Sequence, residues 1–234
     1  MKKTLLLLTI AVLSLGTFAS ADTFTTFSSR AAQNPTDIFD WGQLGPDFSF
    51  VSSPASVTSF NGLGATVSVP GPLLVTVVQD CPTPCGIGSW RGNFETGENL
   101  LYNGNQLGNG PVPMTIAFAT GVNSVGLQIQ DSFYGAFTAT LDVYNGATLL
   151  YSLSLDGVSN PNADGSALFM GVGDLTGNNI TSIVLSDSGV VGNGGPNDFA
   201  INALSITTPE PGSLLFLGTG VLGAVGVLRR KMRI

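Results

Sequence analysis

Ala136-Phe137-Thr138-Ala139-Thr140-Leu141-Asp142-Val143-Tyr144-Asn145-Gly146-Ala147-Thr148-Leu149-Leu150-Tyr151-Ser152-Leu153-Ser154-Leu155 is the stretch that decides the fold. Two alternating runs flank Asn145-Gly146. Period-two alternation places Phe137, Ala139, Leu141 and Val143 on one face of a strand. Asn-Gly is the signal of a tight type I′ hairpin, because both residues tolerate positive φ. The same punctuation repeats outward in both directions. Thr23–Phe27 alternates, and Gly64–Val69 and Leu73–Gln79 are split by Pro70-Gly71-Pro72. Met114–Ala119 and Ser124–Gln130 flank a turn at Thr120–Asn123. Ala167–Val172, Ile180–Ser186 and Phe199–Ile206 complete a set of roughly ten strands, with no sustained helical period. The reading is an all-β, antiparallel two-sheet β-sandwich. Its core candidates also include Ile116, Phe118, Val125, Leu127 and Ile129. Ile201, Leu204 and Ile206 break strict alternation, which predicts a bulge near Asn202-Ala203.

Charge divides the 234 residues into three parts. Six of the eight basic residues lie at the extremes, whereas residues 22–208 hold 14 of the 15 acidic residues with only Arg30 and Arg91, a formal charge of −12. Such a body repels nucleic acid and anionic lipid and attracts divalent cations. There is no histidine, which excludes Ser-His-Asp and Cys-His machinery and the His-containing zinc sites. Cys81 and Cys85 bracket Pro82-Thr83-Pro84. In an oxidising compartment this spacing suits a local disulfide that pins a turn; a redox or metal role is the sharper alternative, and the spacing is not that of CxxC redox enzymes.

The two ends are apolar in different ways. Met1-Lys2-Lys3, the run Leu5–Leu15 and Ala19-Ser20-Ala21 supply the three parts of a secretory signal, with cleavage before Asp22. At the other end, Thr208-Pro209-Glu210-Pro211-Gly212-Ser213 precedes an apolar run from Leu214 to Leu228, which is closed by Arg229, Arg230, Lys231 and Arg233. The basic cluster should stay cytoplasmic and leave the body outside the inner membrane.

Pro209-Glu210-Pro211, a Gly-rich apolar helix and an Arg-rich end, in that order, resemble the PEP-CTERM sorting signal. The resemblance implies recognition by a membrane exosortase, cutting near the Pro-Glu-Pro motif, and a link to exopolysaccharide and biofilm production. The expected organisation is a signal peptide at 1–21, a β-sandwich at 22–207 and a sorting signal at 208–234, with a signal helix and a transmembrane helix flanking the sandwich. Residues 112–206 also resemble jelly-roll, lectin-like domains and distant carbohydrate-binding modules, through Val125-Gly126-Leu127-Gln128-Ile129, Ala163–Val172 and the closing Asn197-Asp198-Phe199-Ala200-Ile201-Asn202.

Three kinds of site follow from residue type. Asn160–Gly165, Gly192–Asp198 and Gly173-Asp174 could present oxygens to a structural Ca²⁺, with Asp164 and Asp198 the candidate ligands; turn formation explains the same residues without a metal. Trp41, Trp90, Tyr102, Phe133, Tyr134 and Tyr151 are rings near loops. A sugar site would centre on Trp90, Arg91 and Tyr134; core packing is the plainer role for any one ring. Glu95 and Glu98 are the minimum pair for glycoside hydrolysis, although three residues apart they suit a solvated loop. The expectation is a non-enzymatic, exported protein, anchored through its tail and then processed, whose domain binds polysaccharide. The alternative is a structural matrix protein without a ligand, and a carboxylate glycosidase ranks below both.

Overall fold

The computed structural model describes residues 23–70, 74–79, 90–103, 113–189 and 198–208. The expected signal and transmembrane helices, Cys81, Cys85, Pro209-Glu210-Pro211 and the basic cluster lie outside the described residues. Fifteen strands occur among them. These are β1 (Phe24–Phe27), β2 (Asp37–Phe39), β3 (Ser49–Ser52), β4 (Ala55–Thr58), β5 (Gly64–Ser68), β6 (Leu74–Gln79), β7 (Asn99–Tyr102), β8 (Met114–Val122), β9 (Ser124–Asp131), β10 (Gly135–Asn145), β11 (Thr148–Ser159), β12 (Leu168–Asp174), β13 (Ile180–Gly189), β14 (Phe199–Ile201) and β15 (Leu204–Thr207). One nine-stranded sheet runs β1-β12-β9-β14-β7-β6-β3, with β15 beside β9 and β2 beside β15; a six-stranded sheet runs β11-β10-β13-β8-β5-β4. All pairings are antiparallel. The molecule is a β-sandwich.

The alternating residues fill the space between the sheets. Phe137, Ala139, Leu141 and Val143 of β10 meet Leu127 and Ile129 of β9, Ile116 of β8 and Ile183 and Leu185 of β13 in one core. Each fully buried aliphatic side chain adds about 1.5–3 kcal/mol relative to exposure. Trp41 is wholly buried and donates its indole N–H to the Asn202 carbonyl at 2.7 Å, so this ring belongs to the core.

The structure departs from the sequence reading at several points. Four strands were not foreseen: β2, β3, β4 and β7 have three or four residues each, too short to show a period among Ser, Pro and Asp. The hairpin turns at Gly146-Ala147, one residue later than Asn145-Gly146, since Asn145 pairs with Thr148. Of these turn residues only Gly146 has a positive φ, 56°, as a turn with Gly at its first central position requires. A register shift at Val143/Tyr144 accompanies it. At Asn202-Ala203 the chain interrupts its strand, and β14 and β15 then follow β9 in succession. That interruption is why Ile201, Leu204 and Ile206 are all buried without period two.

The registers give the sandwich two distinct ends. Tyr102, Asp131, Leu168 and Gly189 mark one, which we call the upper end; Asn123, Gly146 and Asp174 mark the other. At the lower end β8 passes close to the loop that joins β12 to β13. A Cβ added to Gly121 would collide with the backbone carbonyl of Asn178, and backbone cannot swing aside. Gly121→Ala is expected to cost about 1–3 kcal/mol of stability, read as a lower urea midpoint at unchanged m-value.

Candidate functional site

The outer face of the larger sheet carries the site. Because residues alternate, Phe50, Thr76, Tyr102, Ala200 and Gln130 form one row across five adjacent strands on this face. Over it lies the segment 90–98, which begins with a 3₁₀ turn at Trp90–Asn93. Backbone bonds from Gly165 to the Gly92 carbonyl (3.3 Å) and from Ala167 to the Asn93 carbonyl (2.7 Å) fasten that turn to the start of β12. Beneath it Val78, Phe94, Leu100, Ala167 and Ala200 form a second, smaller core.

Arg30 locks the other half of the segment. It is the first residue of a short helix, α1 (Arg30–Gln33), capped by Ser29. Its guanidinium binds Glu98, Glu95 at 3.0 Å and the Ala203 carbonyl at 3.1 Å. Burial works against its charge, but bonding to Glu98 and the field of both glutamates leave it held above its ordinary value. The two glutamates therefore share one arginine on the same side of the sheet and serve as a clamp.

Aromatic rings spread from this cover. Trp90 stands 5.6 Å from Tyr102 and 6.4 Å from Phe94, centroid to centroid. Arg91 lies 5.5 Å above the Phe48 ring and 3.8 Å from Asp47 Oδ1. Phe48 is 61% exposed although its backbone sits at φ 62°, a conformation that is strained for a bulky residue. Phe50, two residues on, is also exposed. Phe48, Arg91, Trp90 and Tyr102 thus form a continuous strip.

The strip reaches the upper end through Tyr102. Its hydroxyl donates to Asp198 Oδ2 at 3.2 Å and lies 3.5 Å from Ser132 Oγ. Burial pushes the Tyr102 hydroxyl up to about 12; its bond with Ser132 opposes this, and the Asp198 charge adds to it. Burial likewise raises Asp198 to about 6, the bond from Tyr102 pulling it down and the Asp131 charge pushing it up.

The residues singled out in the sequence scatter over this frame. Trp90 and Arg91 sit together on the outer face. Tyr134 is on the exposed loop 132–134 at the upper end, beside exposed Phe133. Tyr151 stacks on Phe24 at 5.4 Å, away from the strip. Asp164 and Asp198 both lie toward the upper end but do different work. Asp164 is exposed and accepts from the Ser166 N–H and its neighbour Asn162, whereas Asp198 is buried against Tyr102. Gly173-Asp174 is at the opposite end, where Thr176 and Asn179 hold the Asp174 carboxylate. Among the described residues no three His, Cys, Asp or Glu side chains are grouped as a metal site. Residues 192–197 lie outside the described residues. Phe48 and Phe50 were missed; their only signal was the alternation Phe48-Ser49-Phe50 in a Ser-rich stretch. A second opening, about 610 Å³, lies at the upper end between β10, β11 and β12, lined by Phe137, Thr138, Asp156, Val158, Leu168 and Ser188 among others.

With this geometry in place, comparison identifies the tail. Residues 207–231 match the PEP-CTERM protein-sorting motif. The motif marks an exported protein that is membrane-anchored before processing; among the described residues no helix is long and apolar enough to cross a membrane. No curated protein sequence matches the chain. Among solved structures, a DUF4465 family protein from Bacteroides caccae aligns at TM-score 0.45 and 12% identity, over 74% of this chain and 100% of its own. TmCBM61, solved in complex with β-1,4-galactotriose, aligns at TM-score 0.30 and 14% identity, over 62% of this chain and 88% of its own. The enzymatically active domain of tailspike protein 4 from bacteriophage CBA120 aligns at TM-score 0.35 and 11% identity, over 61% of this chain and 19% of its own. At such scores the likenesses carry no functional inference.

Two measurements check the site's construction. Tyr102→Phe removes the hydroxyl that holds Asp198 ionised, so the Asp198 carboxyl should titrate above its present value of about 6, visible as a shifted midpoint in carboxyl ¹³C NMR. Arg30→Met leaves Glu98 part-buried without its cation. It should cost roughly 3 kcal/mol and speed amide exchange selectively in residues 90–98.

Proposed function

We propose that this chain is an exported surface or matrix protein, sorted by an exosortase, whose sandwich is a non-catalytic polysaccharide-binding module. The expected division stands behind the proposal: a signal peptide at 1–21, the domain at 22–207 and the sorting signal at 208–234. In this reading Pro209 and Pro211 serve to disfavour helix formation across the cut segment. The apolar run parks it at the membrane, and the basic residues hold its far side inside. A disulfide between Cys81 and Cys85 would pin the chain shortly before Trp90.

One observation carries the binding reading. Phe48 is left in solvent, in a strained conformation, beneath Arg91, whose neighbour in the chain, Trp90, packs on Tyr102. Strain that serves no packing purpose points to function. Sugar rings stack on aromatic faces through their C–H groups, while neighbouring Asp47 and Arg91 can take hydroxyls. Tyr134 would extend the strip at the upper end. Catalysis by Glu95 and Glu98 is not proposed, because both are committed to Arg30.

The test is binding of the full-length chain, purified in detergent, to a panel of neutral and acidic polysaccharides by affinity electrophoresis. Trp90→Ala should weaken binding about tenfold or more, a loss of about 1.4 kcal/mol, with an unchanged circular dichroism spectrum. Binding indifferent to both Trp90→Ala and Tyr102→Ala would reject the strip. Uniform absence of binding would favour the structural matrix protein. Replacing Pro209-Glu210-Pro211 by alanines should leave the uncut chain in the inner membrane of an exosortase-bearing host, as read from its mass.

A further inference from the structure

A strand at the margin of a sheet carries a row of backbone N–H and C=O groups that no neighbouring strand takes, and proteins blunt such margins by keeping them short, charged or covered. Among the described residues five strands pair on one side only. Four of them, β1, β2, β3 and β4, have three or four residues each. The fifth, β11, has twelve and pairs with β10 alone. At about 3.4 Å per residue its open row runs roughly 40 Å. Asp156 is its one charged residue, and the eight positions Thr148–Leu155 hold neither a charge nor a proline. From Tyr151 to Ser159 the register against β10 is unbroken, so this part of the edge stays straight.

The flank behind this edge is unfinished. Val143 stands opposite Tyr151, Leu141 opposite Leu153 and Ala139 opposite Leu155. The β10 residues are wholly buried, whereas Tyr151, Leu153 and Leu155 are only partly so, although they pack on the same core. Phe24 of β1 stacks on Tyr151 at 5.4 Å, which puts the short margin of the larger sheet on the same flank. Leu149 and Val158 are exposed toward the two ends of β11. Charge selects the occupant. Residues 22–208 carry a formal −12, so two copies repel each other wherever their carboxylates meet, and the uncharged row Thr148–Leu155 lets them approach. A basic partner would find no acid along those eight positions. A second copy brings the same neutral row, and anchoring through the sorting tail before processing gathers copies on one membrane.

We propose that β11 pairs antiparallel with β11 of a second copy about a two-fold axis, joining the two six-stranded sheets into one continuous sheet. Consider an axis at Leu153. Tyr151 then meets Leu155 of the second copy on the core side, and Ser152 meets Ser154 on the outer side. Asp156 falls opposite Leu150, so no acid of this strand faces an acid. The interface is isologous and closed, and growth through this edge ends at two copies. The aromatic strip lies toward the β3 end of the larger sheet, away from β1 and β11, so the pair displays two strips. The pairing itself does not depend on what the strips bind.

The experiment uses the full-length chain in detergent, as wild type and as Ser152→Lys/Ser154→Lys. Within one copy Ser152→Lys sets an ammonium opposite Asp142 of β10, which the fold accommodates, while across the axis ammonium meets ammonium. Sedimentation equilibrium in density-matched detergent should find two wild-type chains per particle, and the variant's dissociation constant should rise about tenfold or more. Hydrogen exchange reads the edge without any substitution. In a free edge every second amide of β11 is open to solvent. In the pair both sets from Tyr151 to Leu155 should be protected, the more so at higher protein concentration. A wild-type monomer overturns the proposal. So does a dimer that persists in the variant while alternate β11 amides stay open, which puts its interface elsewhere, residues 209–234 included. If the variant does not fold, wild-type exchange decides: concentration-dependent protection of β11 supports the pairing, and open alternate amides refute it.

Discussion

Scarcity of positive charge governs this molecule. Fourteen carboxylates occupy residues 22–208 with two arginines, so acids must be satisfied by neutral donors. Asp37 takes the Ser59 hydroxyl and the Asn61 N–H. Asp40 takes the Gly42 N–H and the Asn99 amide. Asp174 takes Thr176 and Asn179, and Asp198 takes Tyr102. Each arrangement also closes a turn or ties two segments, so the acids act as joints of the framework and not only as solvating charge. Hydrogen bonds to ionised groups are worth more than neutral ones, which makes the solution sound.

The same economy explains how a central strand can be buried on both faces. Every residue of β9 is buried. Its inward side meets the core, and its outward side is covered by α1 and segment 90–98. Gln33 from α1 reaches over Gly126 to bond Ser124 and Ser205, an approach that a Cβ at Gly126 would block. Gln128 is tied to Asn202 and the Glu95 N–H. Amides hold this layer together, with the Arg30 clamp at its margin. The aromatic strip rests on that layer, so its rings inherit a rigid base.

Much of this was written in the chain in a form that can be read. The alternation of β8, β9 and β10 placed their inward residues correctly, because long strands repeat the pattern often enough to rise above composition. The interruption at Asn202-Ala203 showed as a lapse in alternation. The short strands β2 to β4 and β7 did not show, since three or four residues cannot display a period and their order in the sheet is set by distant partners. The site was half legible. Trp90-Arg91 stood out as a rare Trp beside a rare Arg. Phe48 did not, because nothing local says that a phenylalanine will be left outside.

The partners of β1 and β2 set the order in which the body can be assembled. Phe24–Phe27 waits for Gly171–Asp174, and Asp37–Phe39 waits for Leu204–Ile206. However the chain is delivered to its destination, its leading edge must remain unpaired until nearly all of the domain has followed. The last of these partners ends where the sorting motif begins, at residue 207. Closure of the larger sheet and arrival of the tail at the membrane are therefore adjacent events in time. A chain that stalls before residue 204 would present two orphaned strand edges to its neighbours, and quality control at the outer face of the membrane would find its targets there.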